Sequence, residues 1–102
     1  MVMRGLLGRL RGRAVAERPH LRCYTRADCC LCDQARTALG RLAARGLATV
    51  EYLPIDGDPV LTAAYGERIP VVCLGETVLA EGKVSEVRLA RSLAAHARSG
   101  TA

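Results

Sequence analysis

The sequence contains no phenylalanine and no tryptophan, and tyrosine occurs only three times among its 102 residues. Half of the residues are nevertheless hydrophobic, so a chain of this length predicts one small domain with an aliphatic core. Proteins that bind single-stranded nucleic acid stack bases on aromatic side chains, and the shortage of rings therefore argues against a nucleic-acid partner. No apolar run approaches the roughly 20 residues needed to span a bilayer, which excludes a transmembrane protein.

Lysine is also scarce, because Lys83 is the only one and arginine carries most of the net charge of +5. Most of the excess lies before residue 27, so the basic character belongs mainly to an N-terminal arm at 1–19. Apolar residues recur in this arm at a spacing that permits a basic amphipathic helix: Met3, Leu6, Leu7, Leu10 and Ala14. Three glycines each weaken such a helix by about 1 kcal/mol. We expect an extension without membrane contact.

The arm lacks the shape of a secretory signal peptide, because arginine interrupts each of its apolar stretches. Five cysteines in such a chain indicate a reducing compartment, and we expect a cytoplasmic protein. An odd number of cysteines also argues against a purely structural disulfide framework. Clustered cysteines in a cytosolic protein are more often redox-active or metal-binding.

From residue 20 onward, the periodicity predicts an α/β domain at 20–98 with the order β-α-β-α-β-β-α, followed by a flexible tail at 99–102. Strands are predicted at 21–25, 49–55, 70–74 and 77–81, and helices at 30–45, 59–65 and 85–98. Two strands joined by a crossover helix are expected to be parallel, and the terminal hairpin to add antiparallel strands.

Local signals mark the ends of the predicted helices. Gly46 is placed to stop the first helix, and Asp58 followed by Pro59 is typical of a helix start. The predicted inward residues are Leu31, Ala35, Ala38 and Leu42 on the first helix, and Val87, Ala90, Leu93 and Ala97 on the last.

The strongest chemical signal is the run Cys29-Cys30-Leu31-Cys32, which follows a predicted strand and opens a helix. Residues three apart on a helix have Cα atoms about 5 Å apart on the same side, within the range of a disulfide. Cys30 and Cys32 point to nearly opposite sides, and adjacent cysteines are too close. Cys29 and Cys32 are therefore the pair expected to cross-link.

The same placement predicts different roles for the two sulfurs. Unpaired amides and the helix dipole favour a thiolate at Cys29, and Arg26 can add positive potential, whereas Asp28 opposes it. Cys32 lies one turn further in and suits the resolving role. We interpret Cys23 and Cys73 as buried structural residues. Two roles are open for Cys30: a spare thiol that forms mixed disulfides, or an exposed residue without a function in exchange.

Three segments resemble the small glutaredoxin-like proteins of the thioredoxin superfamily: Leu21 to Gln34, Ile55 to Pro59, and Tyr65 to Val71. The resemblance covers residues 20–95. It implies a thioredoxin/glutaredoxin-like fold, in which a four-stranded mixed sheet is flanked by three helices. It also implies a thiol–disulfide oxidoreductase that acts on protein or low-molecular-weight disulfides and is recycled by a reductase or a thiol system.

The resemblance assigns roles to individual residues. Cys29 matches the nucleophile and Cys32 the resolving cysteine, while Pro70 matches a cis-proline that faces the redox pair. Ile69 matches the residue whose backbone pairs with a bound thiol peptide. The resemblance implies no bound cofactor, and glutathione is a candidate co-substrate. The turn that grips glutathione commonly has two glycines, but the stretch from Gly82 to Glu86 has one; Arg26 and amides near Ser85 remain available for a carboxylate.

Two other functions are open. Cys29, Cys30 and Cys32 could hold a metal ion or an iron–sulfur cluster, although a closed tetrahedral site requires four ligands and no second close pair accompanies them. Alternatively, the chain is an interaction domain without redox turnover, a hypothesis motivated by Asp28 beside Cys29. His20 and His96 lack clustered partners and are not expected to be ligands.

Overall fold

A single four-stranded sheet organises the molecule. The computed structural model describes residues 18–100, and side chains up to Ala97. The strands are β1 (His20–Thr25), β2 (Thr49–Pro54), β3 (Val71–Leu74) and β4 (Thr77–Glu81), and the helices are α1 (Cys30–Ala44), α2 (Pro59–Tyr65) and α3 (Glu86–Gly100). The order β-α-β-α-β-β-α confirms the prediction. Residues 1–17 of the arm, for which the spacing permits an amphipathic helix, lie outside the described residues.

The strands are arranged in the spatial order β2-β1-β3-β4. β1 pairs with β2 in parallel, and β3 pairs antiparallel with both β1 and β4. The crossover through α1 and the tight turn at Gly75 account for these directions, as predicted. None of the three described helices combines the length and apolar character that crossing a bilayer requires.

The core lies on both faces of the sheet, because neighbouring strand residues point to opposite sides. One cluster joins the sheet to α1 and α3: Leu21, Cys23, Ala35, Ala38, Leu39, Leu42, Ala48, Val72, Val84, Leu89 and Leu93. The other cluster joins the sheet to α2 and to the first turn of α1: Tyr24, Cys32, Ile55, Ile69, Val71 and Cys73, with Cys29, Leu53, Leu61 and Tyr65 packed against them. The N-terminus of α1 therefore borders the second cluster.

The predicted stop of the first helix at Gly46 and start of the second at Asp58 are confirmed. α1 ends at Ala44, and Gly46 follows with φ +75°, a left-handed conformation that glycine adopts without a steric penalty. At the start of α2, the Asp58 carboxylate accepts the Leu61 N–H at 3.0 Å. α3 extends to Gly100, two residues beyond its predicted end.

Three predicted inward residues are exposed, and these three predictions were wrong. Leu31 is 38% exposed, and Cys32 takes the buried position in the first turn of α1. Val87 is 60% exposed, and Ala97 is exposed as well. Leu89 and Leu93, four residues apart, form the buried stripe of α3, because this rotation buries two leucines and removes more apolar area from water.

Candidate active site

Cys29 lies at the junction between the loop after β1 and the first turn of α1. It is the N-cap residue of the helix, with extended backbone angles, and its Sγ accepts the Cys32 N–H at 3.1 Å. The first amides of a helix have no partner within the helix, so a side-chain acceptor at this position satisfies one of them. The predicted helix-terminal placement of Cys29 is confirmed. Its side chain remains partly accessible to solvent.

The loop that presents Cys29 is anchored by Asp56, which follows β2. The Asp56 carboxylate accepts the Ala27 N–H at 3.0 Å, and the Ile55 N–H donates to the Thr25 carbonyl at 2.8 Å. Asp28 has φ +53°, a conformation that Asp tolerates better than most residues. Sequence reasoning did not identify this contribution of Asp56. Its only signal was that Asp56 belongs to a segment that carries the family resemblance.

Cys32 is buried, with 2% of its surface exposed. Burial and hydrogen bonding to Cys29 raise the pKa of its thiol to about 11, although the backbone amide and the charge of Arg26 oppose the shift. Because a thiol in an apolar site resists ionisation, Cys32 is protonated at neutral pH. The two sulfurs thus differ in access to solvent, with the first near the surface and the second in the core.

The Ile69-Pro70 peptide bond is cis, which confirms the predicted conformation. Ile69 is buried in the same cluster as Cys32, so the structure brings the proline segment and the cysteine pair together. The Gly82 N–H donates to the Pro70 carbonyl at 2.8 Å and ties this segment to the end of β4. Among the backbone hydrogen bonds that the described residues form in loops and turns, none involves the N–H or the carbonyl of Ile69.

Arg26 is exposed, and its guanidinium donates to the Gly66 carbonyl at 3.4 Å. The guanidinium therefore reaches across to the loop between α2 and β3. Sequence reasoning expected its charge to act at Cys29, and the structure adds an effect on Cys32, where the charge and the backbone amide lower the pKa.

The remaining cysteines lie in different environments. Cys23 and Cys73 are buried, as predicted, and burial raises the pKa of Cys23 to about 12 and that of Cys73 above its ordinary value. Cys30 is exposed beside Cys29. In the part of the chain that the structure describes, no three His, Cys, Asp or Glu side chains converge to hold a metal ion. His20 instead bonds to Thr49 and Glu51.

A family model described as "Glutaredoxin-like domain (DUF836)" matches residues 20–94. The chain belongs to the glutaredoxin-like family. The match spans all four strands and most of α3, and together with the element order it confirms the predicted thioredoxin-like fold. The glutaredoxin-like chain matches no curated protein significantly.

Solved structures give the same result for the glutaredoxin-like chain. The X-ray structure of a structural genomics target protein, XcR50 from X. campestris, is 37% identical, covers 74% of this chain and 96% of its own, and has a TM-score of 0.64. A solution structure of XcR50 is also 37% identical and covers 74% of this chain and 92% of its own, with a TM-score of 0.61.

Proposed function

We propose that the protein is a thiol–disulfide oxidoreductase in which Cys29 is the nucleophile and Cys32 the resolving thiol. One observation carries the proposal: the Cys29 sulfur is accessible and accepts the Cys32 N–H, whereas the Cys32 thiol is buried and protonated. An amide donor at a helix N-terminus stabilises negative charge on sulfur, and the thiolate is the form that attacks disulfides. The arrangement separates an attacking sulfur from one that reacts second.

The proposed reaction takes place in two exchanges. The Cys29 thiolate attacks one sulfur of a substrate disulfide, which forms a mixed disulfide and releases the other substrate sulfur as a thiolate. Cys32 loses its proton to the released thiolate or to solvent and attacks Cys29. The second substrate thiol departs, and a Cys29–Cys32 disulfide remains. Two electrons pass from the protein dithiol to the substrate disulfide.

Ile69 and Pro70 support the first exchange by their position. The Ile69 backbone groups are available to pair with an extended substrate segment beside the cysteine pair. Arg26 offers a cation to a carboxylate of the substrate. These three residues are proposed to bind substrate, and none of them takes part in electron transfer.

The proposed substrates are protein disulfides or low-molecular-weight disulfides, with a reductase or a thiol pool that restores the dithiol. Glutathione is a candidate co-substrate, and the two-sulfur mechanism requires no bound cofactor. A reducing cytoplasm is the compartment in which such a dithiol is maintained.

Trapping tests the proposal. A Cys32→Ser variant retains Cys29 but cannot release a mixed disulfide, so we expect it to accumulate one equivalent of a thiol reagent or substrate at Cys29, as measured by mass spectrometry. Cys30→Ser in the same background is the matched control and should trap equally. If Cys29 forms no mixed disulfide with any disulfide offered, the proposed oxidoreductase activity is ruled out. Stoichiometric zinc or iron in anaerobically purified protein would instead favour the metal-binding alternative.

A further inference from the structure

A cleft of about 820 Å³ opens beside the cysteine pair, between the loop after β2, helix α2 and the loop that leads to Pro70. Its volume lies within the roughly 300–1,000 Å³ that is typical of ligand sites. Its charged lining residues are Arg26, Asp56, Glu67 and Arg68. Ile55 also lines the cleft and lies in the same buried cluster as Cys32, and Cys29 packs against that cluster, so the cleft lies close to the cysteine pair.

The charges that line the cleft do not cancel. The Arg68 guanidinium is bound to the Glu81 carboxylate at 2.8 and 3.0 Å, which balances its charge. Glu67 is exposed and forms no salt bridge with the residues that the structure describes. The Asp56 carboxylate accepts the Ala27 N–H and lines the cleft together with the Arg26 guanidinium. The cleft therefore holds the carboxylates of Asp56 and Glu67 and the guanidinium of Arg26, which forms no salt bridge within the described part of the chain.

We propose that this cleft binds the polypeptide segment next to the substrate's disulfide-bonded cysteine, and that Glu67 selects segments with a basic side chain. The inference rests on the proposed function and adds a substrate class to it: protein disulfides flanked by lysine or arginine. The net charge of +5 repels cations at long range, but salt screens that field over about 8 Å at physiological ionic strength. Glu67 acts at contact distance, where its attraction outweighs the screened field.

Peptide disulfides of defined charge test this assignment. The probes are short Gly/Ser/Ala peptides with one cysteine in a mixed disulfide with 2-mercaptoethanol, and with Lys, Gln or Glu two residues before or after the cysteine. With the reduced protein as the only reductant, we expect the second-order rate constant for the Lys peptide to exceed that for the Glu peptide by about two- to five-fold, the effect of one exposed ion pair. The preference should shrink at 1 M salt.

Substitution assigns the preference to Glu67. Glu67→Gln should bring the rate ratio of the Lys peptide to the Glu peptide to about one, and Glu67→Lys should invert it. Glu76→Lys is the matched control, because it makes the same charge change at the exposed β3–β4 turn and should leave the ratio unchanged. Efficient exchange with no charge preference, or an equal effect of the two lysine substitutions, overturns the cleft assignment alone. Absence of exchange with every peptide overturns the proposed function and the cleft assignment with it.

Discussion

The Cys32 thiol is a buried acid, so its ionisation is linked to folding. In the unfolded chain it titrates at its ordinary pKa of 9.0, and in the folded protein at a pKa of about 11. At pH values between these two pKa values, the thiol is mostly ionised in the unfolded chain but still protonated in the folded protein. The contribution of this thiol to the free energy of unfolding is therefore fully present below pH 9 and is lost as the pH rises through 11.

We expect the reduced protein to lose about 1 kcal/mol of unfolding free energy between pH 8 and pH 10 through this thiol, since one pKa unit corresponds to about 1.4 kcal/mol. Urea unfolding at the two pH values measures the loss in the natural chain and in Cys32→Ala. The variant should lack this part of the pH dependence, while Cys30→Ala, altered at an exposed thiol, should retain it. Equal pH dependence in all three proteins would contradict the linkage.

At the same scale, the sequence identified some site residues and missed others. Cys29, Cys32 and Pro70 were found because a three-residue spacing at a helix start and an Ile-Pro-Val segment are local signals. The contact of Asp56 with Ala27 joins residues 29 positions apart. Such a contact depends on how two loops meet at the sheet edge, and no local pattern encodes it.

Helix α2 is a short element that depends on its N-cap. None of its residues is fully buried, so packing contributes less to α2 than to the other helices. Helices of this length are unstable in isolation, and the bond from the Leu61 N–H to Asp58 satisfies one of the otherwise unpaired amides.

We expect Asp58→Ala to lower the unfolding free energy by about 1 kcal/mol, the usual cost of losing such a cap. Hydrogen exchange of the Leu61 amide should accelerate by more than that of the α1 amides, because the loss is local. Asp58→Asn keeps an acceptor and is the matched control. Unchanged exchange at Leu61 in the alanine variant would show that the carboxylate does not cap the helix.

Element boundaries could be predicted because caps and turns are coded by neighbouring residues. The rotation of α1 and α3 about their axes could not, because Leu31 or Cys32, and likewise Val87 or Leu89, each continue an acceptable apolar stripe. Tertiary packing decides between such alternatives. It buries Leu89 against the sheet cluster and leaves Val87 in solvent.

On the scale of the whole molecule, stability depends on apolar packing over both faces of one small sheet. Leu89 closes the larger cluster from α3 and is 1% exposed. Truncating a buried leucine removes its transfer free energy and leaves a cavity, which costs about 2–5 kcal/mol. A domain with a total stability of roughly 5–15 kcal/mol responds strongly to such a loss.

We therefore expect Leu89→Ala to lower the urea midpoint of the entire domain, with the transitions of α1 and the sheet moving together. Val87→Ala, which makes a similar truncation on the exposed side of the same helix, should cost less than about 0.5 kcal/mol. Comparable destabilisation by both substitutions would show that the helix is rotated differently.

The hydrogen bond from the Cys32 amide to the Cys29 sulfur has a consequence for the energetics of the whole domain. A sulfur that terminates a helix is a better acceptor when it carries negative charge than when it is bonded to another sulfur. Ordering of the first helical turn and retention of electrons on the sulfur therefore favour each other. By thermodynamic reciprocity, any change that frays this end of the helix makes the Cys29 sulfur easier to oxidise, and any change that tightens it protects the dithiol.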